Sequence, residues 1–111
     1  MHHNQRFEAC IDACNSCAAA CNECAVACLQ EQDVKMMARC IALDMDCAAL
    51  CQLAAALMQR GSENAAEICR ACAEVCRRCG EECGKHKAEH CQRCAVHCAR
   101  CADECRRMAA A

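Results

Sequence analysis

The sequence predicts an all-α protein, an antiparallel up-down-up-down four-helix bundle whose core is lined with cysteine. Cysteines recur at alternating intervals of three and four residues in three separate segments, which is the average repeat of an α-helix. Proline is absent and the breaks between helical segments are short, so consecutive helices are expected to be antiparallel neighbours.

The spacing of each cysteine run places its thiols on one helix face. The first run has six cysteines at intervals of 4, 3, 4, 3 and 4, which make a row about 27 Å long at about 1.5 Å per residue. Two later runs have five cysteines each, and a sparser set of three lies between them and the first run. The cysteines are Cys10, Cys14, Cys17, Cys21, Cys24 and Cys28, then Cys40, Cys47 and Cys51, then Cys69, Cys72, Cys76, Cys79 and Cys83, then Cys91, Cys94, Cys98, Cys101 and Cys105.

The composition makes cysteine the core residue. Leu, Ile, Val and Phe together number only 13, whereas the 111-residue chain has 25 Ala and 19 Cys. Alanine favours helix and a neutral thiol behaves as a small hydrophobe, so the chain can form a core only if the cysteines point inward. The length suits a single domain, residues 1–111, with frayed ends expected at residues 1–4 and 109–111.

The first two helices have recognisable ends. The first is predicted to run from Asn4, a good N-cap residue, to about Gln30. Asp33 then caps a second helix, which runs to Arg60 and stops at Gly61. The second helix therefore carries the sparse set of three cysteines.

The last two helices follow with equally short links. Ser62 or Asn64 is expected to cap the third helix, and Gly84 ends it. The fourth is predicted to open around residues 85–87 and to run to about Met108. Each of these helices carries one five-cysteine run, which makes them an approximate internal repeat.

Charge and hydropathy exclude several partners. The net charge is −2, with acids and bases mixed, and Phe7 is the one aromatic residue, so no basic patch or stacking surface for nucleic acid is expected. No signal-peptide pattern precedes the first cysteine and no stretch approaches the roughly 20 apolar residues of a membrane span, which favours a cytoplasmic protein without a membrane partner. Thiols are kept reduced in the cytoplasm, so these cysteines are expected to bind metal.

The thiol spacing favours Cu(I) as the metal. Thiols four residues apart on a helix can bring their sulfurs roughly 4.5 Å apart, twice a metal–sulfur bond of about 2.3 Å, which suits a near-linear site. Cu(I) is soft and accepts such low coordination numbers. Equal numbers of Cu(I) and thiolate also leave the core neutral, so we expect roughly one ion per cysteine, about 15 to 20 per chain.

Other readings of the cysteines predict different chemistry. Tetrahedral zinc sites would use four sulfurs per ion, and a thiol redox buffer would react with oxidants without preferring one soft metal. Iron–sulfur clusters use other ligand runs, and disulfides would be strained at helical spacing. No nucleophile, base and orienting group converge, so the sequence does not predict an enzyme.

The antiparallel topology gives the bundle two unlike ends. One, here called the closed end, collects Phe7, Leu57, Met58 and Met108. The other, here called the mouth, collects Cys28, Met36, Met37, Cys40, Cys83, His86, His90 and Cys91. Soft-metal donors concentrate at the mouth, so metal is expected to enter there.

Four polar or thioether side chains are open to two interpretations each. His86 and His90 are either exposed residues at a helix end or ligands at the mouth. Met36 and Asp44 lie on or near the cysteine face of the second helix by spacing, and are either wall or ligand. Met58 is expected to pack in the closed end.

Several motifs together resemble those of the bacterial cytosolic copper storage proteins. The resemblance covers nearly the whole chain and rests on the six-cysteine run, on C-I-A-L-D-M-D-C from Cys40 to Cys47, on C-G-E-E-C-G-K-H from Cys79 to His86 and on H-C-Q-R-C from His90 to Cys94. It implies a cysteine-rich four-helix bundle that binds many Cu(I) ions in its core for storage or detoxification.

The same resemblance has consequences for the mouth and for assembly. It implies that His86, His90 and Asp44 sit at the mouth, and that the protein is a cytosolic homotetramer. The sequence is compatible with a tetramer, because small residues such as Ala13, Ala20 and Ala27 permit close helix packing.

Overall fold

Four α-helices form the protein in the computed structural model, which describes residues 2–110, with side chains from residue 7 onward. A short 3-10 helix lies between the first two, and within the described residues there is no strand. The elements are α1 (His2–Leu29), the 3-10 helix (Val34–Met37), α2 (Ala38–Gln59), α3 (Ala65–Gly84) and α4 (Glu89–Ala110). The all-α prediction is confirmed.

The helices pack as an elongated up-down-up-down bundle. Helix α1 lies against α2 and α4, and α3 lies against the same two helices. No Cα pair within 8 Å joins the diagonal partners α1 and α3, or α2 and α4, in the described chain. The bundle measures 48 × 19 × 18 Å, so its inward faces meet along one long central axis.

The helix bounds differ slightly from those predicted. Helix α1 begins at His2 and α4 ends at Ala110, each two residues beyond the predicted limit. Helix α4 begins at Glu89, later than the predicted start at residues 85–87. Met1 and Ala111, which we predicted to be frayed, lie outside the described residues.

The turn between α2 and α3 has the geometry that its glycine predicts. Gly61 has a φ of 64°, which glycine adopts at no steric cost. The N–H groups of Gly61 and Ser62 donate to the carbonyls of Met58 and Leu57, at N–O distances of 3.1 and 2.9 Å, which is a Schellman motif. The Ser62 hydroxyl then accepts the N–H of Asn64 at 3.0 Å, whereas the Asn64 side chain makes no capping hydrogen bond. Asn64 therefore occupies the N-cap position of α3, and neither predicted residue caps the helix with its side chain.

The core consists of thiols and alanines. All 19 cysteines are buried and none forms a disulfide, which confirms that the cysteine faces point inward. Ala13 and Ala20 are also buried within the chain, with 1% and 8% of their surface exposed. Helix α1 therefore uses these two small residues to pack closely against its neighbours within the chain.

One helical stretch is more apolar than we expected from the sequence. Val34–Gln59 is long and apolar enough to cross a membrane by length and composition, with a mean hydropathy of 1.6. The prediction that no stretch approaches this limit is wrong, because alanine and cysteine count as apolar without being large. In the bundle, 44% of the most apolar 18-residue window of this stretch is buried. The core helix of a soluble protein can have the same length and hydropathy, so the finding is weak evidence for a membrane span.

Candidate metal centre

Thiols from all four helices form a continuous column along the bundle axis. Sulfurs on different helices lie as close to one another as sulfurs on the same helix. The Sγ–Sγ distances across helices include Cys10–Cys105 at 3.7 Å, Cys17–Cys98 at 3.8 Å, Cys51–Cys101 at 3.7 Å, Cys47–Cys76 at 3.2 Å and Cys40–Cys83 at 3.2 Å. A metal ion in this column would thus meet donors from several helices at once.

Thiols four residues apart are closer than a linear site requires. Cys72 and Cys76 have sulfurs 3.7 Å apart, and Cys47 and Cys51 have sulfurs 4.0 Å apart, the extremes of the pairs in contact. With bonds of about 2.3 Å, a linear site needs roughly 4.6 Å, a trigonal one roughly 4.0 Å and a tetrahedral one roughly 3.8 Å. The pairs in contact are therefore spaced for three- or four-coordinate ions and not for the predicted near-linear site.

Groups of four sulfurs confirm that the donors converge. Within each group the Sγ atoms all lie within 4.8 Å of one another. The groups include Cys14, Cys51, Cys72 and Cys101 near the closed end, Cys17, Cys21, Cys47 and Cys98 in the middle, and Cys24, Cys28, Cys40 and Cys91 at the mouth. Each group combines cysteines from three or four helices, which the helical repeat alone does not bring together.

The His90 side chain at the mouth contacts thiols of the column. Its Nδ1 atom lies 3.5 Å from the sulfurs of Cys24 and Cys91 and 3.9 Å from that of Cys28. Imidazole nitrogen is a donor that copper accepts readily. This position fits the ligand interpretation of His90 better than that of an exposed helix-end residue.

Glu31 holds the opposite side of the His90 ring. Its Oε2 atom is 2.9 Å from His90 Nε2, so an Nε2–H group can donate to the carboxylate while the Nδ1 lone pair faces the sulfurs. Such a carboxylate behind a histidine fixes the ring and raises its basicity. Sequence reasoning missed Glu31, because it lies outside the helical repeat and 59 residues from its partner.

His86 has a different neighbour. Its Nε2 atom lies 3.0 Å from Glu82 Oε2, and Glu82 also pairs with Arg39 Nη1 at 2.9 Å. The hydrogen bond from His86, together with that from Arg39, lowers the pKa of Glu82. No contact between His86 and a thiol is among the described hydrogen bonds, so ligation by His86 stays a prediction.

Asp44 lies inside the thiol column. Its Oδ1 atom accepts hydrogen bonds from the thiols of Cys79 at 3.1 Å and of Cys83 and Cys94 at 3.3 Å. Burial, with the neighbouring Cys94 and Cys79, raises the pKa of Asp44 from 3.8 to about 10. The carboxyl group is therefore neutral at pH 7 in the metal-free protein, and its place among thiols makes it more than a wall residue.

Two of the thiols at the mouth are protonated before metal arrives. Burial raises the pKa of Cys91 to about 11 and raises that of Cys28 as well. A thiol must lose its proton to bind metal. Metal binding at the mouth is therefore coupled to proton release.

The methionines divide into exposed and buried ones. Met36 is 67% exposed in the 3-10 helix, so its predicted place on the inward face is wrong, because the chain has not yet entered α2 there. Met37 is buried. Met58 is fully buried at the closed end as predicted, with its Sδ atom 3.8 Å from the Sγ atom of Cys69.

Comparison with protein families identifies one matching model. The family model described as copper storage protein matches residues 3–110. A comparison with curated proteins gives no match.

Solved structures of copper-binding proteins have the same fold. The Cu(I)-bound copper storage protein BsCsp3 is 50% identical, with a TM-score of 0.89 over 93% of this chain and 97% of that one. Metal-free copper storage protein 3 from Bacillus subtilis is 48% identical, with a TM-score of 0.86 over 93% and 98%. A cytosolic copper storage protein from Streptomyces lividans, with five coppers, is 38% identical, with a TM-score of 0.93 over 98% and 96%.

Proposed function

The chain belongs to the copper storage protein family, and on this premise we propose that it stores many Cu(I) ions in its column of 19 buried thiols. The expected capacity is roughly one ion per cysteine, about 15 to 20 per chain, because that ratio leaves the core neutral. The single observation that supports this most strongly is the pair of sulfur networks with contacts at 3.2–4.0 Å. One runs from Cys10 and Cys105 to Cys94, the other from Cys79 to Cys28 and Cys40, and the Asp44 carboxyl joins them.

All the cysteines and three other residues make up the proposed site. Cys24, Cys28, Cys40 and Cys91 with His90 form the part that incoming copper meets first. Asp44 lies behind it as a neutral hydrogen-bond acceptor that can also serve as an oxygen donor, and His86 is placed at the rim. The remaining cysteines hold ions along the length of the column.

The chemistry of loading follows from the protonated thiols. Each Cu(I) that binds one thiol displaces one proton, so charge in the core does not accumulate as ions are added. A core that stays neutral at every degree of filling avoids the cost of an isolated buried charge. Loading is therefore expected to continue until nearly every thiol has reacted.

Several further properties belong to the same proposal. The whole chain acts as a single domain in the cytoplasm, holding copper away from other cellular thiols until it is needed, and it is not an enzyme. A homo-oligomer, expected to be a tetramer, is its assembled form. Nucleic acid and membranes are not expected as partners, since the net charge is only −2 and acids and bases are mixed.

An anaerobic Cu(I) titration against a chromophoric competitor tests the function. The expected result is saturation at roughly 15 to 20 ions per chain, with about one proton released per ion. Saturation near four ions would contradict storage. Prior loading with zinc serves as a control, because Cu(I) should displace zinc completely if soft-thiolate preference governs the site.

The same titration separates the two alternative functions. A zinc-binding protein would retain zinc against an equal concentration of Cu(I). A thiol redox buffer would lose its free thiols rapidly to a mild oxidant and would show no preference for Cu(I) among soft metals. Either outcome would replace the proposed function.

A further inference from the structure

The closed end contains a methionine whose sulfur faces the thiol column. Met58 on α2 is fully buried, and its Sδ atom lies 3.8 Å from the Sγ atom of Cys69 on α3. We propose that Cys69 and Met58 together bind one Cu(I) ion at the closed end. This inference rests on the proposed storage of Cu(I) and adds to it a ligand that is not a cysteine.

Cys69 differs from the other cysteines in its sulfur neighbours. Each of the other 18 has the sulfur of another cysteine within 4.0 Å in hydrogen-bonding geometry. The Cys69 thiol makes a contact of this length with the Met58 thioether, and the thiol of Cys10 also lies close enough to raise the pKa of Cys69. An ion held by the Cys69 thiolate can therefore take Met58 Sδ as a second donor.

Met58 also continues the inward face of α2. Cys40, Asp44, Cys47 and Cys51 follow one another at intervals of 4, 3 and 4, and Met58 comes seven residues, or two helical turns, after Cys51. The repeat therefore ends in a sulfur donor. Ala54 and Ala55 occupy the helical turn between Cys51 and Met58. Met58 occupies a position that a cysteine would take if the run continued.

The thioether suits the charge and the geometry of this place. Methionine sulfur is a soft donor for Cu(I), and it is neutral. One Cu(I) with one thiolate and one thioether has no net charge, which matters at the apolar end of a buried column. With bonds of about 2.3 Å, sulfurs 3.8 Å apart make an S–Cu–S angle of roughly 110°, which leaves room for a third donor.

The binding step is balanced without any oxidant or reductant. The Cys69 thiol loses its proton to solvent as the sulfur–copper bond forms, and Met58 donates a lone pair of its sulfur. Copper stays Cu(I) throughout. The ion at this place is expected to be among the last to be lost, because it lies farthest from the mouth.

X-ray absorption at the selenium edge tests the proposal directly. Protein in which the six methionines are selenomethionine is loaded with Cu(I) without oxygen, and its selenium environment is measured. The expected result is a Se–Cu distance of about 2.4 Å, close to the metal–sulfur bond length. This signal should vanish in Met58→Leu and persist in Met37→Leu, a matched control because Met37 is also buried but lies at the mouth.

A second variant decides the question if Met58→Leu does not fold. Replacing Met36, Met37, Met45 and Met108 with leucine leaves only Met1 and Met58. The fraction of selenium bound to copper should then rise from one in six toward one in two. No Se–Cu signal in the copper-loaded wild type, or an undiminished one in Met58→Leu, would overturn the proposal.

The copper content of the same samples separates the two levels of inference. Samples that take up only a few ions would contradict the proposed storage function. Samples that fill with copper but show no Se–Cu signal would leave storage standing and exclude Met58 as a ligand.

Discussion

The two ends of the bundle differ in what surrounds their sulfurs. At the mouth, His90 touches three thiols and is held by Glu31, and Asp44 accepts hydrogen bonds from thiols one layer below. At the closed end, the thiol of Cys69 contacts the thioether of Met58, and Leu57, Phe7 and Met108 pack around the core. Ions can change ligands where polar donors are near, whereas the described side chains that pack at the closed end offer sulfur and hydrocarbon.

This difference separates loading from stability. A change at the mouth should affect how copper enters more than how firmly the helices pack. A change at the closed end should do the reverse, because Met58 and Cys69 there are fully buried. The predictions below test that separation, beginning with the largest expected effect.

Met58→Ala should destabilise the metal-free protein strongly. Removing a fully buried methionine leaves a cavity, and the free energy of unfolding is expected to fall by about 2–5 kcal/mol. His90→Ala removes one hydrogen bond at the mouth and should cost less than about 1.5 kcal/mol. Urea denaturation of both variants under reducing conditions, followed by circular dichroism, measures the difference. Equal losses would show that the two ends do not differ in this way.

Asp44 should make the stability of the metal-free protein depend on pH. Its pKa rises from 3.8 in an ordinary environment to about 10 in the fold, so the folded state holds a proton that the unfolded chain releases. The stabilisation is complete below about pH 4 and decreases as pH rises toward 10, by up to about 1.4 kcal/mol per pH unit.

Asp44→Asn provides the test of that dependence. The amide keeps the shape but does not ionise, so the slope between about pH 5 and 7.5, where free thiols are still protonated, should become nearly flat. The groups facing Asp44 are the thiols of Cys40, Cys79, Cys83 and Cys94. Denaturation midpoints for both proteins across this range measure it. An unchanged slope in the variant would place its cause in another group.

Glu31→Gln should weaken copper capture at the mouth. The amide cannot supply the negative charge that orients His90 and raises its basicity, and the first Cu(I) ions should bind roughly tenfold more weakly. Glu82→Gln is the matched control, since Glu82 pairs with His86, which has no described thiol contact. Competition with a chromophoric chelator at low copper loading measures both. A similar loss in both variants would point to general electrostatic attraction instead.

Met36→Leu should change nothing measurable. Met36 is mostly exposed and lies outside the column, so copper capacity should be the same and the free energy of unfolding should shift by less than about 0.5 kcal/mol. Copper titration and urea denaturation of this variant measure both quantities and serve as a control for the other variants. A copper capacity lower by one ion per chain would indicate that Met36 is a ligand.

Local patterns were sufficient to predict the helices and the inward face of the cysteines. The cysteine repeat fixes which side of each helix is buried, and Gly61 and Gly84 mark two helix ends, because these features depend on neighbours within a few residues. The same reasoning was wrong for Met36, since a 3-10 helix precedes α2 and breaks the register.

That thiols line the core follows from the cysteine spacing, because helical periodicity is a property of consecutive residues. Which thiols meet across the axis depends on how the helices pack. The same is true of the contacts of Asp44 with three thiols, of Glu31 with His90 and of Met58 with Cys69. These contacts join residues 11 to 95 positions apart on different elements. They depend on the rotation and axial shift of each helix against its neighbours, which packing sets and no local repeat encodes.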